Sequence, residues 1–172
     1  EAEGRAMEVW YARGDALSAN APLGMVGQLV RAAARLSGGE SPEQQRHALT
    51  ALTAPTRAAL PLVLELVGLC EPRGASLELD RAREEPSLMS ERLREAFEGL
   101  CEARCQRGPL VLVLEDLHWG DLSSVKLVES ALLALADRPL LVIATGRPEL
   151  DEVFPSIFAA AAPCEVRVGR LS

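Results

Sequence analysis

Two adjacent carboxylates, Glu115 and Asp116, directly follow the apolar run at residues 110–114. A run of this kind is typical of a strand that is buried on both faces of a parallel sheet. Because burying an isolated carboxylate is costly, the pair must meet water, a cation or a hydrogen-bond donor. Ligands of open α/β sheets bind just beyond the carboxyl ends of the strands. The pair therefore predicts a site for a metal ion and a nucleotide.

The same two carboxylates are the candidate catalytic residues. In a phosphate-transfer site, one carboxylate holds Mg²⁺, usually through water, and a second one orients or deprotonates an attacking water. Neighbouring residues of a strand point to opposite faces, which suits such a division. The alternative is that Glu115 and Asp116 are an incidental acidic pair at a polar strand end.

His118 and Arg147 are the candidate cofactor-binding residues. His118, in the loop after the carboxylates, either contacts phosphate or is hydrogen-bonded for structural reasons. Arg147 follows a second apolar run, at residues 140–145, so a parallel sheet places it at the same edge as the carboxylates. An arginine there can neutralise a terminal phosphate. Its alternative role is an ion pair with Glu149 or Asp151.

The phosphate-binding motif G-x-x-x-x-G-K-[ST] does not occur in the 172 residues. That motif supplies the backbone amides and the lysine that hold the β- and γ-phosphates of a nucleotide. A chain of this design is therefore not expected to be a complete P-loop enzyme. We expect no ATP hydrolysis, and at best weak binding of Mg²⁺ and nucleotide, from these residues alone.

Composition and charge narrow the class of protein. Hydrophobic residues make up 48% of the chain and aromatic residues 3%, which favours helices packed on a sheet over an aromatic-rich barrel. The net charge of −7 argues against direct nucleic-acid binding. No apolar run approaches the roughly 20 residues of a membrane span, so a cytoplasmic protein is expected. We interpret the cysteines as reduced thiols that serve as small apolar residues: Cys70, Cys101, Cys105 and Cys164.

The spacing of apolar residues predicts an α/β fold with a three-layer parallel sheet. Predicted strands lie at residues 7–12, 110–115, 140–145 and 164–168, the last one being edge-like. Predicted helices follow Asn20, the capping box at residues 41–44, Ser87 and the N-cap Asp121, with a short one near residues 151–158. Residues 62–69 favour a short helix, although a strand stays open, and residues 71–86 are predicted to be a mobile loop or insertion.

The segment LVLEDLHWGD, at residues 112–121, resembles the Walker B segment of STAND-type (AAA-like) P-loop ATPase modules. Such modules occur in bacterial LuxR-type transcription regulators and in ATPases fused to serine/threonine kinases or adenylate cyclases. Residues 144–150 resemble the end of the next strand of these modules, where an arginine senses nucleotide. Residues 168–172 resemble the start of the helical lid that follows.

This resemblance implies an ATP-binding or ATP-hydrolysing regulatory module in a multidomain signalling protein, with Mg²⁺ and ATP as cofactors of the full-length protein. It gives Glu115 the Mg²⁺ role and Asp116 the water-orienting role, although the usual order in P-loop ATPases is Asp before Glu. It further implies that residues 1–172 are a partial ATPase core, from strand 2 to strand 5, with a helical insertion at about residues 37–86. The first strand and the P-loop would then lie upstream, and the lid downstream.

The sheet order of this family resembles 5-1-4-3-2, so the absence of strand 1 leaves the strand at residues 140–145 with a free neighbour. Exposed strand edges pair readily with other chains. We expect the last strand or a swapped dimer contact to close the gap. The expected partners are other domains of the same polypeptide and a second copy through this edge, without membrane or nucleic acid. A non-catalytic α/β scaffold for protein–protein contacts is the alternative function.

Overall fold

The computed structural model describes residues 6–17 and 21–169, and its centre is a parallel sheet of three strands. The strands are β1 (Glu8–Arg13), β2 (Leu110–Glu115) and β3 (Leu140–Ala144), in the order β1-β2-β3. The register sets Arg13 opposite Glu115 and Leu114 opposite Ala144. All three carboxyl ends therefore share one edge of the sheet, as the apolar runs predict.

Seven α-helices are found among the described residues. They are α1 (Gly24–Ala33), α2 (Pro42–Leu52), α3 (Leu60–Leu66), α4 (Leu77–Glu84), α5 (Pro86–Cys105), α6 (Leu122–Ala134) and α7 (Leu150–Val153). The predicted capping box begins α2: the Ser41 hydroxyl accepts from the Gln44 amide at 3.3 Å, and the Gln44 side chain accepts from the Ser41 amide at 2.8 Å. The segment predicted as helix or strand at residues 62–69 is helical, in α3. Asn20, the predicted start of the first helix, lies outside the described residues.

One face of the sheet forms the core with the helices. Its fully buried side chains are those of Trp10, Ala12, Leu110, Leu112 and Leu114. On the other face Val111 of the central strand is 8% exposed, but the apolar side chains of the flanking strands are about half exposed: Val9 49%, Tyr11 46%, Leu141 54% and Ile143 45%. The described residues thus form two layers, which corrects the three-layer prediction. An apolar run shows what a strand is suited to bury, but it does not show which face receives a helix.

The predicted loop at residues 71–86 is wrong, because α4 occupies its second half. The Ser76 hydroxyl accepts from the Leu79 amide at 3.3 Å and begins the helix. Leu79 and Ala82 are buried, and Arg83 pairs with Glu65. Charged residues surround this narrow apolar stripe, which is why the helical period is hard to see in the sequence.

The predicted last strand, at residues 164–168, is also wrong. Residues 162–169 have no regular secondary structure, and Val166 and Val168 are largely exposed. Among the described residues β3 pairs with β2 alone, so the expected closure of the sheet by the last strand does not occur. The predicted helix at residues 151–158 is shorter, being α7 and a turn. The lid segment continues into residues 170–172, which lie outside the described residues.

The cysteines are free, as expected, but they occupy two environments. Cys101 and Cys105 are buried in α5, and burial raises the pKa of both thiols. Cys70 and Cys164 are exposed, so only the first two serve as core residues. Within residues 6–17 and 21–169, no helix has the length and apolar character needed to cross a membrane.

Candidate functional site

The acidic pair, Glu115 and Asp116, lies at the carboxyl end of the central strand. Asp116 leaves β2 in the left-handed conformation, with φ 51° and ψ 42°, which aspartate tolerates better than most residues. The Glu115 carbonyl accepts from the Gly14 amide at 2.8 Å, and the Thr145 carbonyl accepts from the Leu117 amide at 2.8 Å. These bonds link the segments that follow all three strands at the carboxyl edge of the sheet.

Both carboxylates contact side chains of β1. The Tyr11 hydroxyl donates to Glu115 Oε2. Arg13 Nε and Nη2 each lie 3.0 Å from Asp116 Oδ2, and Arg13 Nε lies 3.8 Å from Glu115 Oε2. The bond to Glu115 raises the pKa of the Tyr11 hydroxyl, and the bond to Asp116 raises the pKa of the Arg13 guanidinium. The acidic pair is therefore held by a phenol and a cation.

Tyr11 and Arg13 are the site residues that the sequence reasoning missed. They are two positions apart near the end of β1, so both point to the same face of the sheet. The parallel register then sets Arg13 beside Glu115. A search for charged side chains at the end of every predicted strand, rather than of the apolar ones alone, would have found Arg13.

The end of β1 is fixed by backbone contacts. The Gln28 side chain of α1 accepts from the Arg13 amide at 2.9 Å and donates to the Arg13 carbonyl at 3.0 Å. At Gly14, a Cβ atom would lie 2.3 Å from the Asp116 carbonyl oxygen, closer than real Cβ contacts allow. Any side chain at residue 14 would therefore push β1 away from the acidic pair.

His118 belongs to the short turn, Leu117–Trp119, that directly follows the acidic pair. Its side chain is 7% exposed, and its Nδ1 accepts from the Arg147 amide at 3.4 Å. Its Nε2 is buried without a hydrogen-bond partner in the described structure. The ring thus joins this loop to the segment after β3 and brings the backbone of Arg147, a predicted site residue, to the same edge. Contact of either residue with phosphate stays a prediction.

Asp121 ends the loop and holds two helices. Its Oδ1 accepts from the Ser124 amide at 2.8 Å, which confirms the predicted N-cap of α6. The same carboxylate also accepts from the Leu23 amide at 2.8 Å and the Met25 amide at 3.3 Å, at the start of α1. The sequence did not show this second contact, which joins residues almost a hundred positions apart. One buried carboxylate therefore positions both helices beside the site.

The arrangement suits a weakly held divalent cation better than a closed metal centre. The side chains of Glu115 and Asp116 are 41% and 35% exposed, so water and ligands reach them. Among the described residues, no group of three or more His, Cys, Asp or Glu side chains could hold a metal ion. Mg²⁺ is commonly bound by one or two carboxylates together with waters and substrate phosphates. The donor set present here fits that pattern.

Comparisons with known proteins point to one family. The family model described as AAA ATPase domain matches residues 1–143. An uncharacterized protein of Rhizobium meliloti is 33% identical over 103 aligned positions, in an alignment that covers 55% of this chain and 10% of that protein. The chain therefore spans about a tenth of the length of this curated relative. No solved structure matches the chain.

Proposed function

This chain belongs to the AAA ATPase domain family, and from that premise we propose that it carries the metal-binding and water-orienting side of an ATP-dependent regulatory module. The observation that carries the proposal is the acidic pair at the carboxyl end of the central strand, where ligands of open α/β sheets bind. In this reading the pair, Glu115 and Asp116, is a Walker B motif.

Within the proposed site, the carboxylates have separate roles. Glu115 would hold Mg²⁺ and Asp116 would orient the attacking water, and their partial exposure supports access of both ligands. Bound Mg²⁺ would supply positive charge to the phosphate oxygens. Arg147, exposed at the same edge, is the proposed nucleotide-sensing residue, and His118 positions it through the backbone bond to Nδ1.

We also propose that the module works inside a longer signalling protein. The residues at hand hold no phosphate-binding loop of the G-x-x-x-x-G-K-[ST] type, so another segment would bind the phosphates. The relative of which the chain spans about a tenth supports such a multidomain context. In this proposal residues 1–172 form part of an ATPase core, and residues 37–86 form its helical insertion. Other domains of the polypeptide, or a second copy at β3, are its partners.

The proposal is tested by an NMR titration of the 172-residue chain with ATP, in the presence and in the absence of Mg²⁺. We expect weak, Mg²⁺-dependent binding, which Glu115→Gln and Asp116→Asn each lower about tenfold by removing a ligand charge. Glu102→Gln is the matched control, because Glu102 pairs with Arg138 on the helical side, away from this edge. Equal affinities in all four proteins would overturn the proposal.

A protein-binding scaffold is the second candidate function, and one observation favours it. Both carboxylates already have partners, Arg13 and Tyr11, and the face of the sheet that carries these partners is apolar and exposed. If the same titration gives no Mg²⁺-dependent signal, the acidic pair is a structural ion-pair network and the scaffold function is supported.

A further inference from the structure

The contact between Arg13 and the acidic pair assigns a role that the family match does not. We infer that Arg13 is a specificity-determining residue. Its guanidinium binds Asp116 while the carboxylates hold no metal, and it moves to a phosphate oxygen when they bind a divalent cation that carries a polyphosphate. This inference rests on the proposed function, and it makes the site select the cation–phosphate complex over the free cation.

The geometry of the ion pair leaves room for such an exchange. Both donors of Arg13, Nε and Nη2, converge on one oxygen of Asp116, Oδ2, at 3.0 Å each. Glu115 likewise uses one oxygen, Oε2, for its contacts with Tyr11 and Arg13. Because the contacts fall on a single oxygen of each carboxylate, the second oxygen of each can face a ligand.

Charge gives the direction of the selectivity. Two carboxylates and one guanidinium leave the cluster with a single net negative charge, so Arg13 repels a free divalent cation that approaches the carboxylates. A cation that carries phosphate brings its own negative oxygens, and the planar guanidinium fork is well suited to bind them. Arg13 therefore opposes the free cation and favours the complex.

The side chain can move while its backbone stays in place. The Arg13 side chain is 63% exposed, and exposed ion pairs of this kind contribute little to stability. The Arg13 peptide is held by the two Gln28 bonds and by the bond from the Gly14 amide to the Glu115 carbonyl. A change of partner thus requires rotation about side-chain bonds only, with β1 and β2 unchanged.

The test measures the dissociation constants of two ligands for the full chain, Mn²⁺ alone and Mg²⁺-ATP. Mn²⁺ binding is followed by paramagnetic broadening of the ring signals of Tyr11, the single tyrosine of the chain and a neighbour of Glu115. For Arg13→Gln we expect the dissociation constant of Mn²⁺ to fall about three- to tenfold, and that of Mg²⁺-ATP to rise by a similar factor. A purely structural role would shift both constants in the same direction.

Two further variants control for charge and geometry. Arg92→Gln removes the same charge from an exposed ion pair with Glu95 on α5, and we expect it to leave both constants unchanged. Arg13→Lys keeps the charge but loses the planar fork, so Mn²⁺ binding should stay near wild type while Mg²⁺-ATP binding weakens.

The outcomes separate this inference from the proposed function. Suppose that Asp116→Asn weakens the binding of both ligands, but that Arg13→Gln shifts both dissociation constants in one direction or shifts neither. The exchange role of Arg13 is then overturned and the proposed function stands. If Asp116→Asn changes neither constant, or if the wild type binds neither ligand, the proposed function fails and the inference fails with it.

Discussion

The two faces of the parallel sheet differ in what covers them, although the strands carry apolar side chains on both faces. On the covered face, Trp10 and Leu112 are fully buried under the helices. On the other, here called the bare face, Tyr11 and Ile143 are about half exposed. The candidate site lies at the carboxyl edge of the sheet, which borders both faces. Its loops are fixed by the buried side chains of His118 and Asp121, while the partners of its carboxylates come from the bare face. Loops fixed by buried contacts and exposed side chains are thus combined at one edge.

The largest expected difference between the faces is one of stability. Leu112→Ala opens a cavity under the helices and should lower the free energy of unfolding by about 3 kcal/mol. Ile143→Ala on the bare face removes a half-exposed side chain and should cost less than about 1 kcal/mol. Urea unfolding followed by circular dichroism measures both, and equal losses would mean that the bare face is covered in solution.

A smaller loss is expected where the covered face meets the site. Asp121→Ala leaves the Ser124, Leu23 and Met25 amides without their acceptor and should cost about 2 kcal/mol. Ser41→Ala removes a single exposed cap of α2 and should cost about 1 kcal/mol or less. The same unfolding measurement applies, and a smaller effect at Asp121 than at Ser41 would contradict the double role of this carboxylate.

On the bare face we expect a change in association rather than in stability. Exposed apolar patches favour self-association, so the double variant Leu141→Thr with Ile143→Thr should lower the associated fraction. Threonine keeps the preference for a strand, so the fold should persist. Sedimentation velocity at several concentrations measures this fraction. Leu133→Gln, at an exposed leucine of α6, is the control, and an equal effect there would argue against a role of the bare face.

The smallest expected effect is the titration of Tyr11. Its pKa is raised above 10.0, because the hydrogen bond to Glu115 favours the neutral hydroxyl and the carboxylate disfavours a phenolate. The contribution of this contact to stability is therefore present below pH 10 and is lost as the pH rises through the folded-state pKa. Ultraviolet absorption of the single tyrosine should show a midpoint that Glu115→Gln moves back towards 10.0. A midpoint that is the same in Glu115→Gln would show that Tyr11 and Glu115 are not in contact in solution.

Local patterns predicted the elements well where one period dominates. The runs before Glu115 and at residues 140–145 became β2 and β3, and the capping box at residues 41–44 begins α2. Patterns failed at two places: α4 has only a narrow apolar stripe among charged residues, and the alternating residues 164–168 form no strand. A strand needs a partner edge, and no local pattern specifies one.

The sequence by itself determined the acidic pair at the end of a buried strand and the N-caps of α2 and α6, because each is encoded within about ten neighbouring residues. It also determined the family, through a match that extends over residues 1–143. Only the tertiary structure decided what the carboxylates touch and which face of the sheet is covered. Arg13 meets Asp116 across 103 positions of the chain. Such a contact depends on the register of two parallel strands and on the helices between them, and packing sets both only when the whole chain has folded.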